Sequence, residues 1–225
     1  GPLVDLMKDV LHRHPYPGDT DPAANRWVTE IALDLIGGYH PDFVFLTYAR
    51  QYFAGRFSPM SRAVRTAMFA EVFAEVERFA DASGFDPIVI GRGGMTPLVS
   101  SIDLNRLDGL AISTHWSARY AGLHGPSEAD LKYLEKQPNI ARIVERGEFL
   151  RLFDGTPEDG QKVPDLLLVA ERGHAFSGIG CAMRRPVMIP DAGSHVPLFS
   201  RLGEAAELTS IRGVVDNSLR KGRKV

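Results

Sequence analysis

The feature that most constrains this chain is a long apolar-striped helix set between two short, unbroken apolar runs. Over residues 61–82, Val64, Met68, Val72 and Val76 recur every four positions, with Phe69, Phe73 and Phe79 beside them. That is the spacing of one helical face, and Gly84 ends it. Phe43-Val44-Phe45-Leu46 precedes the helix, and Pro87-Ile88-Val89-Ile90 follows it, leading into Gly91-Arg92-Gly93-Gly94. Neither run alternates, so each is predicted as a strand covered on both faces, as in a parallel sheet. Strand, helix and strand in this order predict a right-handed βαβ unit. Ligands of open α/β sheets gather outside the carboxyl ends of the strands, which directs attention to residues 48–56 and 91–96.

The rest of the chain fits an α/β domain. Asp21-Pro22 is a helix start, with an acceptor at the cap and proline in the first turn. Trp27, Ile31 and Leu35 form its stripe, which ends at Gly37-Gly38. Beyond residue 98 the apolar runs become short and broken. A short helix is expected over 127–136, an irregular hairpin from 140–144 and 149–153, a polar surface loop over 156–162, and a third buried strand over 165–170. The predicted division is a flexible segment over 1–20 and an α/β domain over 21–215. A cap-like α+β insertion occupies about 100–163, and a basic tail, read as a solvated end, covers 216–225.

Composition narrows the function classes. With 26 Lys and Arg against 28 Asp and Glu, the formal charge is −2. A general polyanion binder carries a basic excess, so nucleic acid is not the expected partner. No apolar run has the roughly 18–20 residues a membrane span needs, and no signal-type segment opens the sequence, so a cytoplasmic location without membrane association is expected. One cysteine, Cys181, excludes an intrachain disulfide framework and a cysteine zinc cluster. Gly1-Pro2 in place of methionine is expected to reflect processing, trimming from a longer protein, or a protease-site scar.

Several motifs, taken in order, carry a family resemblance. Residues 40–48 read His-Pro-Asp-Phe-Val-Phe-Leu-Thr-Tyr, followed by Phe57-Ser58-Pro59, then Gly94-Met95-Thr96-Pro97-Leu98 and Ile102-Asp103-Leu104-Asn105-Arg106-Leu107. Pro164-Asp165-Leu166-Leu167-Leu168-Val169-Ala170-Glu171 and Gly193-Ser194-His195 follow. The series resembles the C-terminal half of the alkaline phosphatase superfamily, in its type I phosphodiesterase/nucleotide pyrophosphatase branch. The resemblance covers residues 25–200 and implies an alkaline-phosphatase-like α/β fold, with a mostly parallel sheet flanked by helices. It also implies chemistry in which two divalent ions about 4 Å apart hold the oxygens of an in-line phosphoryl transfer.

The residues aligned with that chemistry depart from it. The first metal motif of the family expects Asp, then His or Gln four positions later, where this chain has Gln51 and Gly55. The second expects adjacent Asp and His, where it has Arg92 and Gly93. Of the expected ligands His195 alone is kept, followed by Val196. Glycine has no donor, glutamine is a weak neutral one, and a guanidinium ~4 Å from a unit cation costs about 4 kcal/mol at an effective dielectric of 20. No metal and no other cofactor is therefore expected.

In place of metals, Arg92, Arg50 and Arg56 are candidate ligands for a phosphate, sulfate or carboxylate. Gln51 lies beside them in sequence, and Gly93 and Gly94 let backbone N–H groups approach an anion. A tight turn and surface arginines account for the same residues equally well. His195, as a hydrogen-bonded relic or as an acid or base oriented by Asp191, is the candidate catalytic pair. No nucleophile elbow, P-loop or dinucleotide fingerprint occurs.

Three functions fit. The first is a catalytically degenerate homologue that binds an anion, serves as a partner subunit, or runs repurposed metal-free chemistry. The second is a phosphoric-ester hydrolase using zinc or another divalent metal, completed by an N-terminal half or a partner chain. The third is a plain structural domain. Three strong strands leave a sheet edge open, so a homo-oligomer or a partner chain is expected to cover it.

Overall fold

The computed structural model describes residues 1–91, 93–113, 119–152, 155–177, 186–191, 196–200, 202 and 210–225; Arg92, Cys181 and His195 lie outside the described residues. The chain divides into two units, residues 1–55, 60–92 and 194–225 in the first, and 56–59 and 93–193 in the second.

The first unit is mainly helical. Residues 2–13, expected within a flexible segment, form helix α1 (Pro2–Arg13). It is held by fully buried Val10, by the Arg13–Asp34 ion pair and by the hydrogen bond between His14 and Asp34. Helix α2 (Ala24–Tyr39) follows a turn in which the Asp21 carboxylate accepts the Ala23 N–H at 2.8 Å. Its buried residues are Ala24, Asn25, Thr29 and Ala32 rather than the larger Trp27, Ile31 and Leu35, which are half-buried. Helix α3 (Arg50–Phe57) contributes residues to both units. The long predicted helix is α4 (Arg62–Ser83), with Ser61 Oγ accepting the Val64 N–H at 3.3 Å and Gly84 closing it at φ 73°. Phe79, Phe85 and Ala32 form the buried core, with Leu33, Ile36, Val44 and Leu46 packed against it.

The expected βαβ unit is not formed. Strand β1 (Ile88–Ile90) pairs antiparallel with a late strand, β10 (Leu198–Ser200). Residues 43–46 belong to no strand, although their side chains alternate. Val44 and Leu46 turn to the core, while Phe43 and Phe45 are 47% and 76% exposed. A strand needs a ladder, and here the partner supplies only two bonds: Val44 N–H to Val225 O at 2.9 Å and Val225 N–H to Asp42 O at 3.0 Å. The expected basic tail is therefore structured as well. Helix α7 (Ile211–Arg220) runs into it, and Lys224 O accepts the Asp86 N–H at 3.0 Å.

The second unit is built on an antiparallel sheet of β4 (Leu110–Ser113), β5 (Tyr120–His124), β7 (Leu166–Ala170) and β6 (Ile140–Glu145), in that order. The third predicted strand is β7, with Leu166, Leu168 and Ala170 buried. They join Ile102, Leu104, Leu123, Leu134 and Phe176 in one core. The predicted hairpin is half present: β6 forms but pairs with β7, and the intended second arm is helix α6 (Arg146–Leu152). Two further pairs join β2 (Gly94–Pro97) to β9 (Met188–Asp191), antiparallel, and β3 (Ser100–Asp103) to β8 (His174–Ser177), parallel.

The mostly parallel sheet expected from the apolar runs is thus corrected: among the described residues β3–β8 is the one parallel pair, and the other pairs are antiparallel. Continuous apolar character does not fix strand direction, and over residues 43–46 it does not report coverage of both faces either, since Phe43 and Phe45 are exposed. No helix among the described residues is long and apolar enough to cross a membrane.

Helix α5 (Glu128–Glu135) carries the most heavily bonded buried carboxylate. Asp130, 2% exposed, accepts N–H groups from Ser127 at 2.8 Å, Asp108 at 2.8 Å and Gly109 at 3.0 Å, while Ser127 Oγ accepts the Asp130 N–H at 3.1 Å. Burial pushes its pKa up, but these donors favour the anion and hold it below the ordinary carboxylate value. Replacing Asp130 by Ala orphans three N–H groups, one of them the Ser127 N–H of the capping box, while the bond from the residue 130 N–H to Ser127 Oγ remains, so urea unfolding is expected to show a loss of about 2–4 kcal/mol. Because the folded pKa is depressed, the carboxylate's contribution is complete above about pH 4 and disappears as pH falls through the folded value. Asp130→Asn should flatten that acid limb.

Candidate functional site

In the first unit, the start of α3 is tied to α2 by a polar network. Asn25, 4% exposed, accepts the Arg50 N–H at 3.3 Å and donates to Gln51 Oε1 at 3.4 Å. Gln51 Nε2 donates in turn to the Tyr48 carbonyl. The Tyr48 hydroxyl lies 2.9 Å from Oγ1 of fully buried Thr29. Burial raises the Tyr48 pKa against the Thr29 hydrogen bond, which lowers it. Asn25 and Thr29, one helical turn apart on α2, position residues 48–51. The readable signal for them was two small polar residues on the buried side of a helix whose larger apolar residues suggested a different phase.

Arg50 is the chemically unsaturated member. Its side chain is 14% exposed and pairs with Glu71 of α4, itself 54% exposed. The Arg50 Nε is buried and has no hydrogen-bond partner, which costs about 1–3 kcal/mol if nothing fills the place. A cavity of about 380 Å3 is lined by Asn25, Arg26, Glu71 and Glu75, with Pro22 and Ala23. Arg78 neutralises Glu75 at 2.6 Å. The arrangement offers a half-satisfied guanidinium whose counter-ion, Glu71, is half exposed to water. Two oxygens of a carboxylate, phosphate or sulfate can accept from such a donor pair.

The second unit holds the other predicted site residues. Gly93, at φ 88°, leads into the register pair Gly94–Asp191, and a Cβ on Gly93 meets the Asp191 carbonyl at 3.1 Å. The Asp191 carboxylate is 2.8 Å from Arg172, an ion pair the sequence did not signal. Arg56 is 1% exposed, its carbonyl accepts the Val187 N–H at 2.9 Å, and its guanidinium lies 6.0 Å from the Phe57 ring centre. Ser100 Oγ and His174 Nδ1 are 2.8 Å apart at the start of the β3–β8 pair, satisfying two half-buried groups. The structure therefore joins Arg50 with Gln51, and Gly93 and Gly94 with Asp191. His195 and Arg92 lie outside the described residues.

At the positions aligned with the first metal motif, the Gln51 amide bonds the Tyr48 carbonyl and Asn25, and Gly55 carries no side-chain donor. Among the described residues no group of three or more His, Cys, Asp or Glu side chains could hold a metal ion.

If the network positions Arg50 as described, Thr29→Val leaves the buried Tyr48 hydroxyl without its partner. A loss of about 1–2 kcal/mol is expected in chemical denaturation. The double variant Thr29→Val/Tyr48→Phe should recover part of it, giving a non-additive cycle.

No family model matches the chain, and no curated protein matches it. Solved structures do. Phosphonoacetate hydrolase from Sinorhizobium meliloti 1021, in complexes with phosphonoformate and with phosphonoacetate, superposes with a TM-score of 0.59 at 16% identity, covering 90% of this chain and 57% of that one. Human ectonucleotide pyrophosphatase/phosphodiesterase 5 superposes with a TM-score of 0.51 at 14% identity, covering 81% and 52%. The chain spans little more than half the length of these structures. Both belong to the alkaline phosphatase superfamily, and at these identities the likeness establishes a shared alkaline-phosphatase-like α/β fold.

Proposed function

We propose that this chain is a catalytically degenerate homologue of the alkaline phosphatase superfamily that binds a small oxyanion at Arg50. The observation that carries this reading is the buried Arg50 Nε without an acceptor, in a side chain whose counter-ion Glu71 is 54% exposed. Binding proceeds by exchange: Glu71 rotates outward, and a phosphate, phosphonate, sulfate or carboxylate oxygen takes the guanidinium edge, including Nε. The fold supports the choice of ligand class, since one structure that shares it is a phosphonoacetate hydrolase bound to phosphonoacetate. Asn25 holds the Arg50 N–H and Gln51 holds the Tyr48 carbonyl, so part of the cost of ordering the arginine is met on folding.

A second reading, a metal-dependent phosphoric-ester hydrolase, is favoured by coverage of only 57% and 52% of the similar structures. It requires metal donors from outside residues 1–225. Stoichiometric zinc together with turnover of an activated aryl phosphodiester by this chain combined with the polypeptide that supplies those donors would replace the first reading.

For the first reading, thermal melts in about 10 mM phosphate or phosphonoacetate are expected to rise by roughly 2–5 °C against chloride at equal ionic strength. Arg50→Lys keeps the charge but lacks Nε and should lose most of the rise. No shift with any oxyanion, or an undiminished shift in Arg50→Lys, contradicts the assignment.

A further inference from the structure

Helix α4 carries its end charges against its own dipole. Arg62 and Arg65 stand in its first turn, which holds no acid, and Asp81 stands in its last turn, which holds no base. A helix favours the opposite arrangement at both ends. Arg62 and Arg65, three positions apart, also repel each other, as do Glu77 and Asp81, four apart. All four side chains are exposed. Among the described residues the ion pairs of α4 are Arg50–Glu71 and Arg78–Glu75, which leave these four without a partner charge.

Between the two charged ends lies an uncovered apolar row. Arg65, Phe69, Phe73 and Glu77 recur every four positions and so form one ridge of the helix surface. Phe69 and Phe73 are 51% and 40% exposed. Phe199 of β10, 54% exposed, meets Phe73 edge-on with ring centres 5.6 Å apart and widens the patch. Met68, Val72 and Phe79, the buried residues of α4, lie ~100° round the helix from this row. Along the chain the ridge runs cation, aromatic, aromatic, anion, and the same ridge reversed is its own complement. Two copies crossing antiparallel about a two-fold axis level with residue 71 set Arg65 against the partner's Glu77 and Phe69 against the partner's Phe73, each twice over. Arg62 falls within one residue of the level of the partner's Asp81. The ion pairs lie six residues, about 9 Å, from the axis, where crossing helices diverge and long side chains are needed to meet.

We propose that α4 is the contact helix of a two-fold dimer of this chain, joined through Arg65, Phe69, Phe73 and Glu77. A two-fold contact requires a surface complementary to itself, and this ridge has that property in both shape and charge. The phenylalanines supply the apolar area. The charges fix direction and register, because a parallel pairing sets cation against cation and anion against anion. One helix from each partner makes a small interface, below about 1,200 Å2 in total, so the association is of micromolar strength. The proposal is independent of the anion reading: Glu71 lies ~160° round the helix from Phe69 and Phe73 and stays with Arg50.

The test is sedimentation velocity of the full chain between about 2 and 500 µM, a range that brackets such an affinity. The wild type is expected to pass from monomer to dimer across it. Arg65→Glu and Glu77→Arg each set like charges across the axis and should weaken association about tenfold or more. Each also moves an end charge into agreement with the helix dipole, so the melting temperature of the monomer should not fall. Mixed in equal amounts, the two variants carry complementary ridges and should form a heterodimer, and Arg65→Glu/Glu77→Arg should dimerise as the wild type does. Three results overturn the proposal. One is a wild type that stays monomeric throughout. Another is single variants that associate as strongly as the wild type, which places the dimer on a different surface. The last is a mixture and a double variant that both fail to recover the association lost in the single variants.

Discussion

An extended backbone is stable only where its N–H and C=O groups are paired, and that requirement shapes the first unit more than any side chain does. Among the described residues, residues 42–44 and Asp86 meet it through Lys224 and Val225. β1 meets it on one edge through β10. The helices α2 and α4 cover one face of this partial ladder through Phe79, Phe85 and Ala32. The core is therefore formed while the sheet beside it is interrupted, a combination that leaves Phe43 and Phe45 exposed beside well-packed neighbours.

The second unit contrasts with the first because its pairing is complete locally. β5, β7 and β6 exchange bonds along four or five register pairs, and the buried Leu123, Leu168 and Ala170 seal one side. Asp130 fastens the turn before β4 to the start of α5 through N–H donors alone, so a buried charge is tolerated without a cation.

What was legible in the sequence follows from which signals are local. Ser61, the apolar spacing through Phe79 and Gly84 defined α4 to within a residue, and Leu166 to Ala170 read directly as β7. Strand direction and partner choice were not legible, since Phe43-Val44-Phe45-Leu46 says nothing about Val225. Ile140 to Glu145 likewise does not announce that its partner is β7 rather than the residues following it. At the candidate site, Gln51 was found because it falls in a motif position, and Arg50 because it is a cation beside it on the expected rim. Asn25, Thr29 and Glu71, which hold them, carry no motif; their role exists only through packing of α2 and α4 on α3.

The central claim is that a buried guanidinium edge stands ready for an oxyanion, and it is read most directly by NMR of the arginine Nε–H resonances during a phosphonoacetate titration. The account predicts that the Arg50 resonance moves downfield and that its exchange with water slows, saturating with the ligand. A titration in which other arginines respond while Arg50 Nε–H stays unchanged would contradict it.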